Sequence, residues 1–257
     1  MAESSMQDDV RKWVAELIGT FFLTFAGVSA IIGTGGGGGA SGLLVVALAH
    51  AGALALSVYA LGPVSGSHIN PAISLSVWIA KKMSTRDLVA YIIFQVIGAT
   101  IGAALAAAIF SPSLVNAVDD GATLGLMTSP GPFNNPGSAF ALELIMTFML
   151  ATAVASVVRG GKDMTPASGI VIGGTLFACI LFGGPWTGAS LNPARTMGPT
   201  LVHGSAAMWG ALWLYWLAPL IGGALAGLVN AWLRNDLPKN PAPEQAAESK
   251  AVPPPLP

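Results

Sequence analysis

The chain has 257 residues, of which 53% are hydrophobic and only 9% charged, and its formal net charge is −1. Soluble domains carry roughly 25% charged residues, so this composition excludes an ordinary soluble domain and indicates a membrane protein. The balanced charge gives no sign of a nucleic-acid partner, and the single Cys179 excludes an internal disulfide and a cysteine-based metal site.

Six stretches of the chain are apolar and long enough to cross a bilayer, since a spanning helix takes about 20 residues. They cover residues 13–33, 41–62, 88–110, 139–158, 165–183 and 207–233. Two further apolar stretches, about 70–80 and 192–202, are too short to cross, and each begins with Asn-Pro-Ala. We therefore predict an all-α membrane protein with six transmembrane helices and two short helices that enter the membrane without crossing it.

The predicted spans form one domain over residues 11–235, which follows a polar N-terminal segment, 1–10. The domain is followed by a tail, 236–257, whose richness in Pro, Ala and Glu predicts disorder. The glycine run at 33–41 predicts a flexible outer loop, and the long segment 111–138 should cross the outer face.

The basic residues are divided unevenly between the two sides of the predicted bundle. Of the eleven lysines and arginines, only Arg195 falls in the loops at 34–40, 111–138 and 184–206. All the others fall on the opposite side, and the positive-inside rule assigns that side, with both termini, to the cytoplasm. We therefore predict a multi-pass protein of the cell membrane with cytoplasmic termini.

The first and fourth spans repeat one motif. AELIGTFFLTF (15–25) and LELIMTFMLAT (142–152) share the pattern Glu-Leu-Ile-x-Thr-Phe-x-Leu, which begins at Glu16 and Glu143. An ionisable group inside a span is costly and marks a function or a partner for buried polar groups. The two glutamates could be proton relays in an ion- or proton-coupled transporter. We favour a second role, as acceptors that orient loops with free backbone amides.

The two short helices belong to a second repeated motif, in SGSHINPAISLS (65–76) and TGASLNPARTMG (187–198). Asn is a preferred N-cap and Pro a preferred first helical residue, so each Asn-Pro-Ala predicts a helix start. Each half of the chain, 11–110 and 138–235, has three predicted spans, so the second half must sit inverted relative to the first. We therefore expect the two helix starts to meet near the middle of the membrane.

This arrangement predicts a pore. Non-helical backbone at that depth is tolerated only where it is buried in protein or lines a water-filled cavity, so the loops at 61–69 and 183–191 should expose carbonyls along such a cavity. Asn70 and Asn192 can donate hydrogen bonds into it, and the positive ends of two helix dipoles repel cations, including a proton. We predict a narrow channel for neutral solutes, with no enzymatic activity, cofactor or metal. The coupled transporter and a structural protein with a closed pore stay open as alternatives.

With both Asn-Pro-Ala motifs, both glutamate helices and the arginine after the second motif, the chain resembles the aquaporin, or major intrinsic protein, family over about residues 10–235. Two such motifs, inverted and correctly spaced, are very specific. The resemblance implies six membrane helices and two re-entrant half-helices in a right-handed bundle. It also implies a homotetramer in the lipid bilayer with one pore per subunit. The pore motifs then comprise Asn70, Pro71, Ala72, Asn192, Pro193 and Ala194.

The family's second constriction, an aromatic/arginine filter, falls by spacing from the motifs on His50, Ile180, Ala189 and Arg195. Water-strict members resemble Phe, His, a small residue and Arg, whereas glycerol members resemble Trp, Gly, Phe and Arg. The set in this chain departs from both. It looks more like the plant vacuolar subgroup, whose members often pass ammonia, urea or hydrogen peroxide with water.

Two other features resemble water channels instead. Thr196 stands where glycerol channels often have Asp, and Tyr215 with Trp216 matches a pair typical of water channels. The resemblance therefore leaves the solute open between water alone and water with ammonia, urea, glycerol or hydrogen peroxide.

Overall fold

The computed structural model describes residues 6–36, 38–117, 136–159, 163–164, 166–204 and 206–235. In chain order its elements are α1 (Met6–Gly33), α2 (Gly39–Ser65), α3 (Pro71–Ile79), α4 (Thr85–Ile109), α5 (Pro112–Ala117), α6 (Pro136–Val157), β1 (Val158–Arg159), β2 (Asp163–Met164), α7 (Ser168–Thr187), α8 (Pro193–His203) and α9 (Ala206–Asn235). The predicted tail, 236–257, and most of the predicted loop 111–138 lie outside the described residues.

Six long helices, α1, α2, α4, α6, α7 and α9, are long and apolar enough to cross a membrane. The mean hydropathy of their most apolar windows lies between 1.7 and 2.2. The predicted number and order of spans and the all-α fold class are confirmed. Within the described residues the helices are interrupted by a minimal antiparallel pair, β1 and β2, in which Val158 lies opposite Met164.

The two helices that precede the short helices are longer than predicted. The predicted spans end at residues 62 and 183, but α2 continues to Ser65 and α7 to Thr187. Five residues of each predicted loop, 61–69 and 183–191, are therefore helical, and the prediction of long carbonyl-exposing loops is wrong in this respect.

The reason for these longer helices is where their prolines lie. Pro63 and Pro185 each stand in the last turn, where a missing N–H removes a single helical hydrogen bond. Gly66 and Gly188 then take the left-handed conformation, with φ of 90° and 78°, and their N–H groups close the last turn. Each non-helical segment is reduced to the few residues between this glycine and the next helix.

The start of α1 is tied to the start of α4. Asp9 accepts a charge-assisted hydrogen bond from Arg86 at 2.8 Å and another from Lys12 at 3.2 Å. Trp13 donates its ring N–H to Asp87 at 3.2 Å. We call this end of the bundle the basic face, and it carries Arg11, Lys12, Lys81, Lys82 and Arg86.

The two halves of the chain pack in the same way. α1 lies along α4 in the first half, and α6 lies along α9 in the second. Gly98 of α4 faces the backbone of Leu17, and Gly222 of α9 faces the backbone of Leu144. A Cβ at either glycine would collide with the carbonyl oxygen opposite, so both helix pairs depend on close backbone approach.

Polar and apolar side chains are distributed as a membrane requires. Large apolar side chains such as Leu56, Leu228 and Trp232 are more than half exposed on the outside of the bundle. Glu16 and Glu143, by contrast, are fully buried inside it. Because apolar surface faces lipid at no cost whereas buried polar groups need partners, the interior must supply those partners.

Candidate functional site

Two short loops return the chain into the bundle, and both have strained backbone. Ser67 and Ile69 in the first loop have φ of 50° and 43°, and Ala189 and Leu191 in the second have φ of 44° and 55°. Residues other than glycine rarely adopt this left-handed region, so the surrounding structure has to hold both loops in place.

Glu16 of α1 holds the first loop. Its Oε1 accepts hydrogen bonds from the Ser65 hydroxyl at 2.7 Å and the His68 backbone N–H at 2.9 Å. Its Oε2 accepts from the Ile69 N–H at 2.6 Å and from the Gln95 side-chain amide at 2.7 Å. The carboxylate thus accepts hydrogen bonds from two loop amides that have no partner in a helix or strand.

Glu143 of α6 holds the second loop in the same manner. Its Oε1 accepts from the Thr187 hydroxyl at 2.7 Å and the Ser190 N–H at 2.9 Å, and its Oε2 accepts from the Leu191 N–H at 2.8 Å. The residue types and bond pattern repeat those around Glu16, with a hydroxyl and two consecutive loop amides in each case.

Two tyrosines complete these supports, and the sequence reasoning did not find this role for either. The Tyr91 hydroxyl donates to the Ser65 carbonyl, and the Tyr215 hydroxyl donates to the Thr187 carbonyl, each at 2.7 Å. Comparing the third span of each half at the spacing of Gly98 and Gly222 would have paired the two tyrosines, because both pairs are 124 residues apart.

A second brace lies inside each loop. The His68 ring Nδ1 lies 3.2 Å from the Ser74 hydroxyl of α3, and its ring packs edge-on against Tyr91. In the second half the Ser190 hydroxyl bonds the Thr196 hydroxyl of α8. The residue two before each Asn is therefore fixed to the first turn of the helix that follows.

The two asparagines start the short helices, as predicted. The Asn70 side-chain oxygen accepts from the Ala72 N–H at 2.8 Å, and that of Asn192 accepts from the Ala194 N–H at 3.0 Å. The amide nitrogen of Asn70 donates to the Leu191 carbonyl at 2.9 Å.

The amide nitrogen of Asn192 donates to the Ile69 carbonyl, also at 2.9 Å. The starts of α3 and α8 therefore meet and are bonded to each other across the repeat. Because a side-chain amide has two N–H donors, one on each of Asn70 and Asn192 stays available to a solute.

A narrow cavity of about 20 Å³ runs past the two asparagines. A water molecule needs about 10–15 Å³ of such volume, so the cavity holds roughly one or two. Asn70, Asn192, His50, Ala189 and Arg195 line it together with aliphatic side chains from four spanning helices. The cavity, which we call the passage, is thus small enough for one or two waters, and polar and apolar side chains line it together.

A wider cavity of about 390 Å³ opens next to it at the basic face. His68, Ile73 and Val154 line both cavities, so the two adjoin. Lys81 and Lys82 line the wide one. None of the described residues that line either cavity is acidic.

His50 and Arg195 lie together at the narrow cavity and are almost fully buried. The Nδ1 of His50 is 2.9 Å from the Val46 carbonyl, which can only accept, so this nitrogen carries the proton. The Nε2 then accepts, and it lies 3.4 Å from the Arg195 guanidinium. The neutral ring and the cation form one polar group at this end of the passage.

The two other predicted filter residues differ in position. Ala189 lines the narrow cavity beside Arg195. Ile180 is buried in the main apolar cluster of the bundle, which also contains Ala189, but it is not among the residues that line this cavity. Its membership of a filter therefore stays a prediction.

The geometry defines an integral membrane protein with two half-helices joined at their N-termini along a narrow internal passage. The chain belongs to the major intrinsic protein family, whose sequence model matches residues 3–230. The family inferred from the two Asn-Pro-Ala motifs is thereby confirmed.

Relatives of several kinds match nearly the whole chain. It is 37% identical to Aquaporin AqpM of Methanothermobacter thermautotrophicus, over 88% of this chain and 98% of that protein. It is 39% identical to Aquaporin TIP4-4 of Zea mays, over 88% of each. It is 36% identical to Glycerol uptake facilitator protein-like 6 of Lactiplantibacillus plantarum, over 84% of this chain and 95% of that protein.

Among solved structures, the aquaglyceroporin from Plasmodium falciparum superposes with a TM-score of 0.75, covering 89% of this chain and 96% of its own, at 23% identity. At this level of identity the likeness establishes the common fold. Since the relatives are named both as aquaporins and as a glycerol uptake facilitator, the solute of this chain has to be argued from its own residues.

Proposed function

We propose that this protein is a passive channel for water and small neutral solutes that excludes ions and protons. One observation carries the proposal. The narrow cavity runs between two half-helices whose N-termini meet, and Asn70 and Asn192 line it side by side. Its volume of about 20 Å³ suits a single file of water.

Proton exclusion follows from the charges around this point. The positive ends of two helix dipoles face the centre of the passage, and Arg195 adds a full charge within the first turn of α8. A water that accepts from both asparagine amides has no lone pair left for a neighbouring water. A proton wire would be broken there, and a hydrated cation would be repelled.

The proposed range of solutes follows from the residues around Arg195 that line the passage. The guanidinium of Arg195, held beside the His50 ring, offers donors to a small polar molecule, while Ala189 keeps that side of the passage open. The described residues that line the passage include no Phe, Tyr or Trp, whose side chains would narrow it further. We therefore propose water as the main solute and ammonia, urea or hydrogen peroxide as further solutes, with glycerol the least favoured because of its size.

The coupled-transporter alternative is less well supported. Glu16 and Glu143 lie outside both cavity linings and are engaged by hydrogen bonds from loop residues. A proton relay needs a carboxylate that can exchange protons with water in the path. We propose instead that the two glutamates position the loops.

Orientation and assembly are part of the same proposal. The clustered lysines and arginines of the basic face support its placement in the cytoplasm, together with both termini. An epitope added at either terminus should be hidden from antibody in intact cells and should become accessible after permeabilisation.

We further propose a homotetramer with one pore per subunit, which the mass of the purified protein in detergent would test.

The test of the proposed function is a solute panel. Liposomes containing the purified protein are exposed by rapid mixing to osmotic gradients made with an impermeant solute, and then to glycerol, urea and ammonia. Water flow should exceed that of empty liposomes and should not respond to an imposed proton gradient. The control is Ala189→Leu, whose side chain would fill the narrow cavity and should return all fluxes to the empty-liposome level. Dependence of solute flow on the proton gradient would support the transporter instead.

A further inference from the structure

Gly27 of α1 lies directly against the His50 ring of α2. A Cβ built at Gly27 would overlap three atoms of that ring, Nε2, Cε1 and Cδ2, and these are its three nearest neighbours. Several other helix glycines face backbone, as Gly98 and Gly222 do. Gly27 therefore makes room for one side chain of the neighbouring helix.

The His50 ring is confined on three sides. Its Nδ1 is fixed by the Val46 carbonyl at 2.9 Å, its Nε2 faces Arg195 at 3.4 Å, and the Gly27 backbone bounds it on the side of α1. A methyl group at residue 27 would displace the ring away from α1. The Val46 and Arg195 contacts would then be lost or distorted, because the ring cannot move and keep both.

The second half of the chain offers an internal comparison. The offset between Glu16 and Glu143, 127 residues, relates Gly27 to Val154, and the offset between the two asparagines, 122 residues, relates His50 to Ile172. In the second half, therefore, an isoleucine takes the place of the imidazole, and a valine takes the place of the glycine.

Both Val154 and Ile172 line the narrow cavity and belong to the main apolar cluster of the bundle. A Cβ at the glycine-equivalent position is thus compatible with this architecture when no imidazole stands opposite. The glycine is required by His50 and not by the packing of the helices.

We propose that Gly27 is a positioning residue of the passage, which sets the place of the His50 ring and its contact with Arg195. This inference rests on the proposed channel function, since it assigns a role at the same constriction. It predicts that the effect of a substitution at residue 27 depends on the presence of the imidazole.

The test is a double-mutant cycle of Gly27→Ala, His50→Ala and the combined variant, with Gly52→Ala as the matched control. Gly52 is in the same helix as His50, and a Cβ there meets nothing within 4 Å. In the His50 background, Gly27→Ala should lower water permeability about tenfold, since overpacking a filled site disfavours the observed arrangement by that order. In the His50→Ala background the same change should have no effect, and Gly52→Ala should resemble the wild type.

The thermal unfolding midpoint of each variant in detergent gives a readout that does not depend on transport. Gly27→Ala should lower the midpoint only when His50 is present. If wild-type liposomes fail to conduct, the proposed function fails, while this stability cycle still tests the Gly27–His50 contact. If Gly27→Ala alone does not assemble, recovery of assembly in the combined variant would support the inference. Equal losses in both backgrounds, in permeability and in midpoint, would overturn it.

Discussion

The two halves of the molecule support their loops alike but line the passage differently. In each half a buried glutamate accepts hydrogen bonds from a hydroxyl and two loop amides, and a tyrosine holds the end of the preceding helix. Asn70 and Asn192 face the passage as an equivalent pair, but the residues around them do not all repeat. Arg195 in the second half stands where the first has Ile73, and His50 of the first stands where the second has Ile172.

Residues that hold the loops and residues that line the passage are under different physical constraints. Positions that hold the loops are constrained by unsatisfied backbone donors, which are the same in both halves, so similar residues fill them. Positions that face the passage without such a role, unlike Asn70 and Asn192, can differ. The supports also differ at one point, because Gln95 gives Glu16 an additional hydrogen bond, whereas the residue 124 positions later is Pro219, which has no side-chain donor.

The largest expected effect is the loss of either glutamate. Glu16→Ala and Glu143→Ala each leave two buried loop amides without an acceptor, at a cost of roughly 1–3 kcal/mol per group. Such a loss is large beside a typical stability of about 5–15 kcal/mol, so both variants should assemble poorly. Size-exclusion profiles of the detergent-purified protein measure this.

The matched controls for these variants are Glu16→Gln and Glu143→Gln, which keep one acceptor oxygen and should lose less. If one alanine variant assembled normally and the other did not, the two loops would not be held in equivalent ways.

The second effect concerns exclusion of solutes. Arg195→Ala should widen the passage and remove a charge, so that urea or glycerol permeability relative to water rises roughly tenfold, as for a barrier lowered by about 1.4 kcal/mol. Ile73→Ala, at the equivalent position of the first half, should change this ratio little. Solute exclusion that was the same in both variants would place Arg195 outside the constriction. Ammonia, urea and glycerol fluxes into liposomes give the ratios.

A smaller effect is expected when the imidazole is replaced. His50→Phe removes the acceptor at Arg195, worth about 1 kcal/mol, and should lower ammonia permeability about fivefold more than water permeability. Ile172→Phe, at the equivalent position, should reduce both fluxes alike because no polar group is lost. Equal losses for both solutes in His50→Phe would remove the case for solute selection by His50.

The smallest effect tests the symmetry of the supports. Tyr91→Phe and Tyr215→Phe each remove one buried hydrogen bond, worth about 1 kcal/mol. For a chain of this size each should lower the unfolding temperature by about 2–4 °C, with channel selectivity unchanged. Tyr59→Phe is the control, since its bond to Pro166 is exposed and should count for less. Clearly unequal shifts for Tyr91 and Tyr215 would show that the two halves differ in support as well as in lining.

Much of the architecture could be predicted because its signals are local. Span length and hydropathy determine the six long helices, and Asn70 and Asn192 start helices because Asn and Pro suit those positions. The pairing of Glu16 and Glu143 with the loops was also expected, since free amides at membrane depth need acceptors.

The remaining features depend on contacts between distant segments. The sequence next to Gln95 does not distinguish it from an ordinary residue of an apolar helix, and its role appears only when α4 is packed against the first loop. The partner of Tyr91 likewise appears only in the packed structure, although the repeat pairs Tyr91 with Tyr215. The ends of α2 and α7 were misplaced because Pro63 and Pro185 are tolerated in a last turn that a left-handed glycine closes. The role of Gly27 likewise follows only from its contact with the His50 ring.

The most direct test of the central claim is to measure water flow and proton flow in the same liposomes, with a pH-sensitive dye enclosed in them. Two half-helices meeting at Asn70 and Asn192 predict fast water flow with proton flow no higher than in empty liposomes. Water flow at the empty-liposome level, or proton flow that rises in proportion to the water flow, would contradict the account.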